Sequence, residues 1–151
     1  MDNLFLNVNV AHVLLALDIG IMGTTRKNAI GIPESLKNIK SLNKALVYGG
    51  IVATVDREVL CVAWQDNNVV LMITTAFSVH RDSDYVVRPR KRPGKGSTNA
   101  AITRPVYGDA PIKNLSIPCA INAYNNSKNF VDVANQLREV YTCHRLYKER
   151  T

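Results

Sequence analysis

Asp2 and Asp132 are the residues whose type and setting could support metal chemistry. Asp2 comes just before an amphipathic run, and Asp132 lies in the first turn of a second helical pattern, on the face it shares with Asn135 and Gln136. A two-metal phosphoryl-transfer site needs hard carboxylate oxygens from separate elements, converging on Mg²⁺ ions a few ångströms apart. The same acids also suit a plainer role, because an acid at a helix start complements the macrodipole. Residue type alone leaves both readings open.

The second chemical feature is basic. Arg88-Pro89-Arg90-Lys91-Arg92-Pro93-Gly94-Lys95 is continued by Arg104, and residues 88–104 contain no acid. Such a run can be a solvated loop, a nuclear-localisation segment or a patch that meets nucleic-acid phosphates. Residues 23–48 are also basic, with Arg26, Lys27, Lys37, Lys40 and Lys44 against Glu34, whereas residues 49–87 lean acidic. The chain totals 19 Lys plus Arg against 12 Asp plus Glu, a formal +7, and its segregation favours a phosphate-rich partner over a uniformly soluble surface.

Other motifs fail on spacing. Gly94-Lys95-Gly96-Ser97 resembles the end of a phosphate-binding loop, but it lacks the earlier glycine and a preceding strand. His12, His80 and His144 do not combine with Cys61, Cys119 and Cys143 into a zinc spacing, and the adjacent Cys143-His144 pair suits one tetrahedral ion poorly. Three widely spaced cysteines without a CxxC pair point to free thiols in a reducing compartment. The apolar stretch from Val8 to Met22 is interrupted by Asn9, His12 and Asp18 and is too short to span a bilayer. Asp2 stands where a signal peptide would be basic. An intracellular chain, in nucleus or cytoplasm and not secreted, is therefore expected, with no membrane partner.

Several elements must position these residues. Leu6, Val10, Val13, Leu14 and Leu17 recur at helical spacing, which predicts a helix over 6–17. Gly20 to Thr24 reads as a short buried strand, and Ile32-Pro33-Glu34 opens a second helix. Runs at 47–55, 58–65 and 69–76 are rich in β-branched residues, and Asp66-Asn67-Asn68 supplies turn chemistry, so a small antiparallel sheet is expected there. Residues 80–114 hold few apolar positions and four prolines, which predicts a long, mostly irregular connection over the surface. Ile121 and Tyr124 mark a short helix. Leu137, Val140, Tyr141 and His144 mark a longer one from about Val131.

Read together, three blocks resemble a known family. Asp2-Asn3-Leu4-Phe5, Gly23-Thr24-Thr25-Arg26-Lys27-Asn28 and Gly31-Ile32-Pro33 resemble the PiggyBac-type DDE transposase block that carries the second catalytic aspartate. Ile117-Pro118, Tyr124-Asn125, Val131-Asp132, Asn135-Gln136-Leu137-Arg138 and Tyr141 are similar to the block around the third. Between them, Val62-Ala63-Trp64-Gln65-Asp66 and the basic, proline-containing run resemble the intervening segment. The order is the specific part of the match, since each block alone is weak.

The resemblance implies Asp2 and Asp132 as the second and third metal-binding, catalytic aspartates, with Mg²⁺ activating water and then a 3′-hydroxyl for DNA cleavage and strand transfer. Asn135, Gln136 and Arg138 would support the site. Arg26, Lys27, Asn28, Arg88, Arg90, Lys91, Arg92 and Lys95 would meet DNA. The implied fold is α/β, a partial RNase H-like fold lacking its N-terminal strands, with a small antiparallel β insertion. Residues 1–45 would form the partial core with the second acid, 46–114 the β-rich insertion and basic irregular connection, and 115–151 the helical end with the third acid.

The chain departs from the family pattern at named places. Asn129-Phe130 stand where a Gly-Gly pair is usual, and Asn135 stands where another acid is usual. The first aspartate belongs before residue 1, and further helical and cysteine-rich segments belong after Thr151. The expectation is thus a truncated transposase domain, inactive alone, with DNA and either a second copy or a full-length transposase as partners. The alternatives are a non-catalytic, domesticated protein that binds DNA or a transposase, and an unstable translation product, or a gene model begun too late, with no function of its own.

Overall fold

The computed structural model describes residues 5–42 and 46–140, apart from the side chains of residues 129–132, 134–136 and 138–140. Helix α1 (Val8–Ala16) begins where the Asn7 side chain accepts a hydrogen bond from the Val10 amide at 3.0 Å, a cap that satisfies one free donor of the first turn. It is followed by strand β1 (Met22–Thr24) and helix α2 (Glu34–Leu42). Strands β2 (Ile51–Asp56), β3 (Val59–Gln65) and β4 (Val69–Thr74) then form the expected antiparallel meander.

The meander does not stand alone. β1 pairs antiparallel with β4, Met22 opposite Thr74 and Thr24 opposite Met72, which gives the order β1-β4-β3-β2. Thr74 Oγ1 donates to the Ile21 carbonyl at 3.0 Å and Thr75 Oγ1 accepts from the Ile21 amide at 3.0 Å, fastening that edge. The sheet therefore joins residues from the first block to those of the strand-rich segment.

The two central strands are covered on both faces, which explains their unbroken apolar runs. Odd positions of β3 and β4 (Val59, Cys61, Ala63, Val69, Leu71, Ile73) pack with Leu6, Val8, Ala11, Ile32 and Leu36 from the side of α1 and α2. Even positions (Leu60, Val62, Trp64, Met72) pack with Val79, Ile117, Ala120 and Ile121 on the other side. A strand residue points to one face or the other by parity. With both faces roofed, every residue of β3 is buried.

Two sequence expectations are corrected. Residues 80–114 are not mostly irregular: β5 (Tyr85–Lys91) pairs antiparallel with β6 (Ile112–Pro118), Tyr85 opposite Pro118 and Lys91 opposite Ile112. The excursion between them contains the short helix α3 (Ala100–Thr103) and a 3-10 turn, Arg104–Tyr107. In place of two separate helices there is one, α4 (Cys119–Val140), of 22 residues. No Gly or Pro interrupts 119–140, and the weak helix formers Asn125, Asn126 and Ser127 each cost only about 0.5 kcal/mol relative to Ala, too little to break a helix anchored by Ala120 and Ile121. Tyr141 and His144 lie outside the described residues.

Candidate functional site

Asp2 lies outside the described residues, but the chain from Leu6 onward is tightly held. Leu6 is 1% exposed, and its carbonyl accepts a 2.8 Å hydrogen bond from Thr25 Oγ1. The Val8 amide donates to the Ile30 carbonyl at 3.1 Å. Gly31 adopts φ +83°, and a Cβ there would lie 2.6 Å from the Val8 Cβ, so only glycine lets the turn close on α1. The turn between β1 and α2 is thus clamped to the start of α1. Arg26, Lys27 and Asn28 are exposed on it.

The same turn reaches α4. Thr24 Oγ1 and the Tyr124 hydroxyl share a 3.1 Å hydrogen bond, although they are 100 positions apart in sequence. Asp132 lies on α4 a little over two turns beyond Tyr124, about 12 Å along the axis. Its side chain, and those of Asn135, Gln136 and Arg138, fall outside the described residues. Its helical position still excludes one sequence reading. Asp132 is in the interior of α4, far from Cys119 at the start, whereas the macrodipole effect fades within the first turn. A helix-start role does not account for this acid.

The strand β5 divides the basic run. Val86, Arg88 and Arg90 share a face, and that face is turned towards the sheet and α4. Arg88 Nε donates to Asn122 Oδ1 of α4 at 2.9 Å. Arg90 is half-buried: its Nη2 donates to Asp66 Oδ2 at 2.6 Å, and its guanidinium lies 5.8 Å from the centroid of the Trp64 ring. Burial opposes the Arg90 charge, but the hydrogen bond and charge of Asp66 outweigh it and raise the arginine pKa.

Tyr48 completes this cluster. Its hydroxyl donates to Asp66 Oδ1 at 3.3 Å and shares a 2.8 Å bond with the Tyr107 hydroxyl. Burial first, then the Tyr107 bond and the Asp66 charge, push the Tyr48 pKa well up, so the phenol stays neutral. Lys91 and Lys95 are exposed, and Arg92 is half-buried beside Gly108, whose carbonyl accepts from its Nη1 at 2.6 Å.

Among the described residues, no group of three or more His, Cys, Asp or Glu is arranged to hold a metal ion. His12 contacts Asp56 at 3.2 Å, and Cys61 is buried with its thiol pKa pushed up to about 11 by desolvation, so neither offers a free ligand. The aspartates Asp2 and Asp132 have the hard oxygens that Mg²⁺ prefers. The donor chemistry fits.

A protein-family model described as transposase IS4, of the DDE type, matches residues 1–151, the full sequence. The chain belongs to this DDE transposase family. No curated protein and no solved structure matches it. As a transposase-family chain it is implied to take DNA as substrate and to derive from divalent-metal chemistry. Among the described residues, no helix of this transposase is long and apolar enough to cross a membrane. The Thr24–Tyr124 and Arg90–Asp66 pairs had no local signal in the transposase sequence, because each joins segments far apart along the chain.

Proposed function

We propose that this chain is the part of a PiggyBac-type transposase catalytic region that carries the second and third acids, Asp2 and Asp132, on an RNase H-like fold. Segments 1–45 and 115–151 belong to the core in this reading, and 46–114 is the β-rich insertion, whose strands β2, β3 and β4 share a sheet with β1. The carrying observation is the Thr24–Tyr124 hydrogen bond, which couples the turn clamped at Leu6 and Val8 to the helix that bears Asp132. Leu6 is four positions from Asp2, a reach of at most about 14 Å, comparable with the rise from Tyr124 to Asp132.

In this reading the two carboxylates would hold the ion, with Asn135, Gln136 and Arg138 in supporting roles. The exposed Arg26, Lys27 and Asn28 orient the DNA backbone beside it. Bound Mg²⁺ would supply Lewis acidity to a water or a 3′-hydroxyl and to the leaving oxygen. Asp2 and Asp132 are two of the three acids such a site uses, and in this reading residues 1–151 on their own would hold a divalent ion weakly and would not cleave DNA.

Two measurements test this. Supercoiled plasmid with Mg²⁺ should stay intact, and robust nicking abolished by Asp132→Ala would overturn the inactivity. Mn²⁺ added to labelled protein should broaden the amide signals of Leu6 and Thr24 together with those of α4, and Asp132→Asn should weaken the effect. Broadening that ignores Asp132→Asn would remove it from the metal site. A non-catalytic DNA-binding protein, alone or with a transposase, is the second reading, favoured by the exposed cations Arg26, Lys27, Lys91 and Lys95. DNA binding that persists without metal and with both acids neutralised supports it.

A further inference from the structure

The excursion between β5 and β6 carries a shallow groove of about 590 Å³, wide open to solvent, lined by Arg92, Lys95 and Arg104 against the single acid Asp109. Two of the cations are already oriented. Arg92 Nη1 donates to the Gly108 carbonyl at 2.6 Å, and Arg104 Nη1 donates to the Pro93 carbonyl at 2.5 Å. A guanidinium has five N–H donors in a rigid fork, so one bond to a carbonyl leaves most of the fork for an anion. Lys95 is exposed and adds a mobile point charge.

The groove is also fastened to the sheet. Asn99 Nδ2 donates to the Asn67 carbonyl at 3.0 Å, Tyr107 bonds Tyr48 at 2.8 Å, and Arg90 bonds Asp66 at 2.6 Å. Each bond reaches from the excursion or its strand to the β3–β4 turn or the segment before β2. Preorganised cations on a fastened frame lose little conformational entropy on binding. The small residues Ala101 and Gly108 also line the groove.

We propose that this groove is a binding subsite for the phosphodiester backbone of DNA, distinct from the basic turn at Arg26 and Lys27, with Arg92, Lys95 and Arg104 as its contacts. It deepens the DNA-binding reading and rests on it. An open basic groove suits a polymer passing across it, and membership in a transposase family supplies the polymer's chemistry. Of the eight positions expected at DNA from sequence, the groove keeps Arg92 and Lys95, adds Arg104, and leaves Arg90 to the sheet.

The test is fluorescence anisotropy with a labelled duplex of about 20 base pairs and arbitrary sequence, at about 50–200 mM NaCl. Lys95→Gln should lower the slope of log affinity against log salt by roughly one, and Lys95→Gln with Arg104→Gln by roughly two. The single Lys95→Gln variant removes no side-chain hydrogen bond among the described residues, and circular dichroism melts check that both variants stay folded. Wild-type protein that binds while both variants keep its salt slope overturns the groove and leaves the DNA reading intact. Wild-type protein that fails to bind DNA at low salt overturns both.

Discussion

Replacing Arg90 by Ala should destabilise the fold rather than remove a DNA contact. Its bond to the Asp66 carboxylate is 2.6 Å long, and the side chains of the pair are 24% and 27% exposed, which places it between surface and buried ion pairs. Surface pairs contribute up to about 1 kcal/mol, and breaking a buried one costs about 3–5. The stacking on Trp64 adds roughly 0.5–1 kcal/mol. Loss of about 2–3 kcal/mol is therefore expected, or a melting shift of roughly 5–10 °C for a chain of this length. Trp64 is the one tryptophan of the sequence and lies against the guanidinium, so its fluorescence during urea unfolding reports both the stability and the site. Arg90→Lys keeps the charge but not the planar fork, and should fall between wild type and Ala. Below the melt, the salt dependence of DNA affinity should be unchanged in either variant. An unaltered urea midpoint with a salt slope reduced by about one would refute the reasoning and return Arg90 to the interface.

Two further outcomes follow from packing. Gly31→Ala forces a Cβ to within 2.6 Å of the Val8 Cβ at φ +83°, and should cost more than about 1 kcal/mol in a urea titration, while Gly96→Ala, with open space around it, should be nearly neutral. The Cys61 thiol pKa is raised from the usual 9.0 to about 11 by burial and then by the Asp56 charge. Folded chains keep this proton where unfolded chains release it, so the thiol's contribution is constant below pH 9 and falls as pH rises towards 11. Mass spectrometry of alkylation at pH 8 should find Cys61 protected and the half-buried Cys119 modified. Cys61 labelling as fast as in urea would contradict its burial.

Much of the framework was legible because it is local. The helix at 6–17, the strand before Thr24 and the three strands after residue 46 follow from apolar spacing and turn residues, and each was found within a few positions of its expected place. The hairpin β5–β6 escaped because its inward face carries Arg88 and Arg90, so no alternation of apolar and polar residues marks it. The turn at Arg57-Glu58 escaped for a related reason: both residues have positive φ, at 44° and 70°, without the Asn or Gly that usually announces such a turn. The order of three sequence blocks pointed to a DDE transposase, and the family match supports that class.

By itself, the order of residues determined the kind of chemistry: which acids could hold a hard ion, where positive charge accumulates, and which segments are helical or extended. These are properties of side-chain type and short-range period. Tertiary structure alone decided that Arg90 turns to Asp66 and Trp64, that Arg104 joins Arg92 and Lys95 around one groove, and that Thr24 meets Tyr124. A strand's period of two divides its residues between two faces, but which face is covered depends on a partner far along the chain. That choice is made by the burial of the whole sheet.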